Sequence, residues 1–407
     1  MKLFFAKKNL TALLLLVAIL GFSAANLLYG KDALLETLTT MLDIQKIEDV
    51  DALVAGAEEA VSEQLLYKVQ FVEVYGYIQK LLFKTEIDNF TYGQDDNGFL
   101  NYLGFFREED SMLPDYAQRV ARLKDIVEEK GGKLLLVTPP CKYDPQGSAY
   151  APGYPVNDAN AREDALLLYA HEAGVDTMDL RESLRDFPYQ ERFFKADHHW
   201  TIQAAFAAYS AIVQEFEDRY DLLLDPENFY RDINNYDVYT YKQAMLGSMG
   251  RNTGVVFSGL DDYTLIVPKF PTHYINTAKE PNGMELETEG TFEEALLDTV
   301  HLSTSNIYSN SLYSVYLQEV RAWNRIVNTE NPDGPKLFCV RDSYFTPVVC
   351  FLSPMFSEIH MIWPLGEGAP DVERYVREND FDYVIVEVYP YNINDDMFDF
   401  CRAALVP

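Results

Sequence analysis

From Leu10 to Tyr29 the chain is apolar almost without a break; Thr11, Ser23 and Asn26 interrupt it, and Lys2, Lys7 and Lys8 precede it. About 20 residues rising 1.5 Å each cross a hydrocarbon core of roughly 30 Å. Residues 1–30 therefore read as a single transmembrane signal anchor. Lysines before the run, with Asp32 and Glu36 after it, place the amino terminus in the cytoplasm and the main domain outside the cell membrane. Ser23-Ala24-Ala25 also offers small residues to a signal peptidase, so a cleaved, secreted form is the alternative. Both readings export the rest of the chain. Residues 31–84 contain no proline, and Leu65, Val69, Val72, Ile78 and Leu82 fall at helical spacing. They read as a helical stalk beside the main domain, although a partner-binding helix pair would show the same pattern.

After Pro114 the rhythm changes. A helical pattern over Asp115–Lys130 stops at Gly131-Gly132, and the apolar strand Lys133–Val137 follows. A helix over Ala161–Ala173 leads to a strand at Val175–Leu180. The pattern Ile202, Phe206, Tyr209, Val213, Phe216 gives a further helix over Ile202–Asp218. Strands follow at Lys336–Val340, Glu358–Trp363 and Tyr383–Val388. Continuous apolar strands between helices predict an α/β domain over 85–407, a mostly parallel sheet covered by helices on both faces. Residues 225–298, rich in Tyr, Asn, Gly and Thr, read as a strand- and loop-rich insertion.

Composition narrows the functional classes. The 407 residues carry a formal charge of −31, which repels nucleic acid and anionic lipid surfaces. The four cysteines, Cys141, Cys339, Cys350 and Cys401, form no CxxC pair, which argues against a zinc ribbon and leads us to expect free thiols.

Two segments carry the candidate chemistry, since reactive groups in an open parallel sheet collect beyond the carboxyl ends of its strands. In Leu337-Phe-Cys-Val-Arg341-Asp342-Ser343-Tyr344 a buried strand runs into a turn that exposes Ser343, and the following helix start offers N–H groups to an oxyanion. In Asp197-His198-His199-Trp200-Thr201 an aspartate and two histidines precede a helix that Thr201 can cap. Serine needs a base to take its proton, and the base needs an aspartate to fix its tautomer. Ser343, His199 and Asp197 fit those roles. The same loop is compatible with a purely structural cap or a metal site, although three adjacent ligands diverge too far for good zinc geometry.

Asp197-His198-His199-Trp200 resembles the motif of the bacterial DHHW protein family, and it fits the Asp-x-His-Trp pattern of the alginate O-acetyltransferase group within the SGNH hydrolase superfamily. In that group Asp and His precede the nucleophilic Ser, a circular permutation of the usual SGNH order, as Asp197 and His199 precede Ser343 here. Looser resemblances lie in Gly98-Phe99-Leu100, Pro139-Pro140-Cys141-Lys142, Gly247-Ser248-Met249-Gly250-Arg251 and Asp382-Tyr383-Val384-Ile385 with Glu387. The resemblance spans roughly residues 85–400 and implies an SGNH-like, flavodoxin-like fold with no metal and no cofactor. It departs at Arg341, where ordinary SGNH enzymes have Gly, and no certain match to their oxyanion Gly and Asn is present. Lys142, Arg251 and Asn392 are candidates for that role, and Trp200 and Tyr344 for lining the substrate site. Lys142 reads equally as a solvated loop residue, Arg251 as a salt-bridge partner, Trp200 as packing and Tyr344 as a helix start; His198 reads as filler or a secondary site residue. The resemblance implies an enzyme that transfers or removes an acyl group, most simply acetyl, on a cell-surface or cell-wall glycan. The expected partners are that glycan and, for a transferase, a membrane-bound acyltransferase as acyl donor. A plain carbohydrate esterase shares the chemistry, and a non-catalytic glycan-binding or envelope assembly protein on the same fold is the rival.

Overall fold

Alternation along the central strands sorts the core into two layers. Leu135 and Val137, Cys339, Met361 and Ile385 point to one face; Leu134 and Leu136, Phe338 and Val340, and Val384 and Val386 point to the other. Both faces are apolar because both are covered by helices, as parallel strands require. These features come from a computed structural model that describes residues 2–32, 35, 65–103, 110–150, 153–156, 159–280, 283–303, 306–318 and 320–402.

The chain forms two compact units, Met1–Ile78 and Gln79–Pro407. In the first, α1 (Lys2–Tyr29) contains a stretch, Lys8–Tyr29, of mean hydropathy 2.2. It is long and apolar enough to cross a membrane, as either an anchor or a signal sequence would be. Most of the expected stalk lies outside the described residues; what is described there includes α2 (Lys68–Leu81).

The second unit begins with a small antiparallel sheet, β1 (Glu86–Ile87), β2 (Tyr92–Gln94) and β3 (Leu100–Tyr102). Next come α3 (Leu113–Glu129), β4 (Lys133–Thr138), α4 (Ala159–Glu172), β5 (Asp176–Asp179) and α5 (Ile202–Tyr220). Pro114 opens α3, where its missing N–H costs nothing, and Gly131 at φ +89 ends the turn that follows. The stretch read as an insertion holds a hairpin of β6 (Tyr236–Met245) and β7 (Asp261–Pro268), with α6 (Ser248–Thr253) between them, and then β8 (Tyr274–Lys279) and β9 (Glu285–Gly290). Among the described residues the first pair forms a sheet of its own, and the second joins the central sheet. The chain closes with β10 (Trp323–Asn328), β11 (Lys336–Val340), α7 (Thr346–Leu352), β12 (Glu358–Ile362), α8 (Val372–Glu378) and β13 (Tyr383–Glu387).

Among the described residues the central sheet has eight strands, in the order β5-β4-β13-β11-β12-β10-β8-β9. From β5 to β12 neighbours run parallel; β10, β8 and β9 add antiparallel pairs. β13, last in sequence, inserts between β4 and β11, so the loops leaving these three strands meet at one end of the sheet. That end carries the candidate site.

Candidate active site

β11 is buried from Leu337 onward and hydrogen-bonded on both sides, and it delivers the chain into a tight turn. From Leu337 to Met355 every residue is buried except Ser343, which is half-exposed. Asp342 builds the turn. Its Oδ1 accepts the Tyr344 N–H at 2.9 Å, and its Oδ2 accepts the Tyr389 N–H at 2.8 Å and the Asn392 amide at 2.7 Å. The turn after β11 is thereby stapled to the one after β13. Beneath it, the Asp342 N–H donates to Glu387 at 2.9 Å, and burial, reinforced by Asp342, pushes the Glu387 carboxyl well above its usual range.

The Asp-His-His loop reaches the same place from another direction. It lies between Phe193 and Trp200, which pair as an antiparallel bridge, and it feeds α5, whose N-cap Thr201 accepts the Ala204 N–H at 3.2 Å. Asp197 Oδ1 accepts His199 Nδ1–H at 2.6 Å and the His199 N–H at 3.0 Å. The other ring nitrogen, Nε2, receives the Ser343 hydroxyl at 2.8 Å. An Nδ1–H committed to a carboxylate leaves Nε2 as the acceptor, which is the tautomer a serine general base requires. Burial works to raise the Asp197 carboxyl, but His199 and His198 beside it and the hydrogen bond from His199 outweigh burial and hold it well below the usual range. The Tyr313 ring stacks on His199 at 3.8 Å and fixes the ring plane.

Distant elements hold the loop backbone. Lys142, just beyond β4, is buried, and its Nζ donates to the carbonyls of Lys195 and Asp197, both at 2.7 Å. Asp261 at the start of β7 accepts the N–H groups of Lys195 and Ala196, both at 2.8 Å. The Ser248 N–H donates to Asp197 Oδ2 at 2.6 Å. Gly247 can approach this closely only because it lacks a side chain: a Cβ there would lie 2.3 Å from Asp197 Cβ and 2.4 Å from the Ala196 carbonyl.

Most of the remaining sequence candidates hold the site's own backbone and packing. Lys142 is neither a solvated lysine nor an oxyanion donor, because its ammonium is buried against the loop carbonyls. Trp200 is fully buried, donating its indole N–H to the Tyr344 carbonyl at 3.0 Å and the Tyr313 hydroxyl at 3.1 Å; it packs the loop and lines no substrate surface. Tyr344 is also buried; it stacks on Tyr389 at 4.2 Å and donates its hydroxyl to the His198 carbonyl. Asn392 is engaged in holding Asp342. Arg251 donates to the carbonyls of Leu246 and Asn310 at 3.3 and 3.5 Å; no carboxylate among the described residues forms a salt bridge with it. The helix start supplies fewer N–H groups than expected: Tyr344 N–H is taken by Asp342 and Thr346 N–H by the Ser343 carbonyl. The Ser343 N–H itself donates to no described acceptor.

His198 stays neutral, since burial and the neighbouring His199 push it down to about 3, and its Nδ1 lies 3.1 Å from Ser248 Oγ. Asp197, His198 and His199 place one potential metal-ligating atom each within 4.8 Å of the others. Those atoms are spent on one another, on Ser248 and on Ser343, so the set fits a proton-transfer relay better than an ion. A cavity of about 870 Å³, lined by Lys133, Asp176 and Asp382 among others, opens at the opposite, amino-terminal end of the strands.

Sequence reasoning missed Tyr313 and Asp261, which carry no local signal. The glycines around Ser248 were visible, but their role against Asp197 was not.

Residues 103–238 match a family profile described as the SGNH hydrolase-like domain of acetyltransferase AlgX. No curated protein matches the sequence. Among solved structures, PatB1 of Bacillus cereus is similar at 18% identity and a TM-score of 0.60, covering 75% of this chain and 97% of that one. A DHHW family protein from Eubacterium siraeum is similar at 16% identity and a TM-score of 0.53, covering 76% and 97%. The chain therefore shares the α/β fold of PatB1 and of the DHHW family protein, and its residues 103–238 are similar to the SGNH hydrolase-like domain of AlgX.

Proposed function

We propose that the chain is an exported, membrane-anchored acyl-transferring enzyme that works through Ser343, His199 and Asp197 on a cell-surface or cell-wall glycan. The observation that carries this reading is the continuous relay Ser343 Oγ to His199 Nε2 (2.8 Å) and His199 Nδ1 to Asp197 Oδ1 (2.6 Å), assembled from residues 144 positions apart. In this mechanism Ser343 Oγ attacks the acyl carbonyl while its proton passes to His199 Nε2. The Ser343 N–H faces the developing oxyanion, and Asp197 stabilises the imidazolium. Collapse expels the leaving group with the proton from His199 and leaves an acyl-serine. A sugar hydroxyl, deprotonated by His199, then takes the acyl group and regenerates Ser343.

The half-exposed rings of Tyr102 and Tyr391 suit a sugar. Tyr102 lies 6.1 Å from His198 and 6.2 Å from Tyr391, so two partly exposed rings stand beside the histidine loop. The half-exposed Ser343 also favours a second reading, an esterase, because water can reach the same acyl-serine. A transferase outside the cell needs its acyl group carried across the membrane, and tethering the domain there raises the local concentration of a membrane-bound donor. The test is labelling of the full chain with a fluorophosphonate, followed by peptide mapping. Modification confined to Ser343, and lost in His199→Ala, supports the relay. A folded protein left unlabelled at Ser343 would show that this serine is not activated. Acetyl transfer to an oligosaccharide, against acetate release alone, separates transferase from esterase.

A further inference from the structure

Helix α2 carries its apolar stripe on the outside. Phe71, Val74, Tyr75 and Ile78, with Tyr67 just before the helix, fall on one face at spacings of three and four. A helix of a soluble domain buries such a stripe. Here the five residues are 52%, 56%, 42%, 45% and 60% exposed in that order, while the opposite side holds the buried Gly76 and the half-buried Val69 and Glu73. Contiguous exposed apolar surface of this kind marks a place where something docks.

Two contacts within the same unit indicate what covers it. The Phe71 ring meets Phe22 edge-on at 5.7 Å, and the Leu66 N–H donates to Asn26 Oδ1 at 2.6 Å. Phe22 and Asn26 belong to the last two turns of α1, the end that leaves the hydrocarbon core if α1 spans a bilayer with its lysines inside. The start of α2 therefore sits at the level of the outer membrane boundary. We propose that the Tyr67–Ile78 face of α2 lies in the outer interfacial layer of the bilayer that α1 crosses. Tyrosines suit that layer, with an apolar body inward and the hydroxyl at the headgroups. With a chain charge of −31 the attraction is apolar rather than electrostatic, so zwitterionic lipid suffices. The proposal rests on α1 remaining as an anchor.

The test uses the full chain in phosphatidylcholine nanodiscs, with an environment-sensitive dye on one introduced cysteine at a time; the native cysteines are all buried. A dye at Tyr75→Cys should be quenched strongly by brominated lipid and several-fold less by aqueous iodide than one at Gln70→Cys, beside the stripe. Equal iodide quenching at the two positions would put the face in water and overturn the proposal. A Tyr75 dye shielded from both quenchers would mean that protein covers it, and crosslinking of two copies there would name a second chain as the occupant; both results overturn it. A dye at Leu20→Cys, within α1, should be quenched by brominated lipid. Its failure would remove the anchored reading and this proposal together, while ester hydrolysis by the same samples reports on Ser343 separately.

Discussion

The serine and the histidine reach the site by different kinds of construction. Ser343 is planted locally: a buried strand, an aspartate cap and a buried helix lie within some fifteen consecutive residues, and the turn is pinned by its neighbour in the sheet, β13. His199 sits in a loop with little regular structure of its own. Its geometry is imposed from Lys142, Ser248, Asp261 and Tyr313, four segments spread over more than 170 positions. A strand–turn–helix fixes its own tip, whereas a loop must be fixed from outside. Damage to the serine side should therefore be chemical and immediate, and damage to the histidine side should arise from residues that touch no substrate.

The largest effects belong to the shared step. Ser343→Ala or His199→Ala should each lower turnover of an activated acetyl ester by about 10⁴–10⁶-fold. The double variant should be little worse than either, since the two groups act as one unit, and circular dichroism should show the fold retained. Additive losses would mean that the two sides do not meet in one step. Gly247→Ala comes next. Its Cβ would collide with Asp197 Cβ and the Ala196 carbonyl, so the loop must shift, and a displacement of about 1 Å at a reacting group costs roughly 10²-fold in rate. Full activity in this variant would show that the loop tolerates displacement and that its outside supports are dispensable.

The same contrast explains what the sequence made legible. The central parallel strands β4, β11 and β13 were readable because each holds a continuous apolar run; the expected β11 at Lys336–Val340 matches its observed ends, and β12 and β13 each fall one residue short of expectation. Ser343 was readable because strand, Asp-Ser and helix follow one another in sequence. The Asp-His-His loop was readable as a motif, yet its supports were not. Asp261 is one of 64 acidic residues and Tyr313 one of 28 tyrosines, and neither is distinguished until the chain folds. Lys142 was misjudged for a physical reason: a buried lysine is rare enough that a loop position implies solvent. Trp200 read as packing under the histidine ahead of a substrate contact, and it packs there; Tyr344, offered as lining the site or as a helix start, packs the same space behind the histidine. Residues 274–290 read as insertion because their polar alternation broke the α/β rhythm, whereas that alternation belongs to antiparallel strands at the edge of the same sheet.

Lys142→Met probes the outside support directly. It leaves the buried carbonyls of Lys195 and Asp197 without a donor, at a cost of about 1–3 kcal/mol. Asp197 should then be less well positioned, so kcat should fall while KM holds. The pH dependence supplies a second readout. Burial lowers the Lys142 ammonium to about 7, against the attraction of Asp261, Asp197 and Asp95. Between that value and roughly 10.4 the unfolded chain holds a proton that the folded chain does not, so raising the pH through this window favours the folded state. The stability of the parent relative to Lys142→Met should therefore rise from pH 7 to 10, by at most about 1.4 kcal/mol per pH unit. A difference that stays flat with pH would mean that the lysine keeps its proton and holds the loop as a permanent cation.

The smallest effect separates local from distant support within the histidine loop itself. Thr201 caps α5 two residues after His199, accepting the Ala204 N–H and donating to the Glu191 carbonyl at 2.7 Å. Loss of such a cap costs about 1 kcal/mol. If the loop were positioned by the helix it precedes, Thr201→Ala would lower kcat in step with stability. The contacts to Asp197 and to the Lys195 and Ala196 backbone, however, come from Lys142, Ser248 and Asp261 and remain when the hydroxyl is gone. The Thr201 N–H also still reaches the Arg192 carbonyl at 2.8 Å, so the loop keeps its exit into α5. Thr201→Ala should therefore unfold at a lower denaturant concentration with kcat near the parent value. A fall in kcat matching that of Lys142→Met would transfer the positioning of His199 from those distant segments to the helix cap.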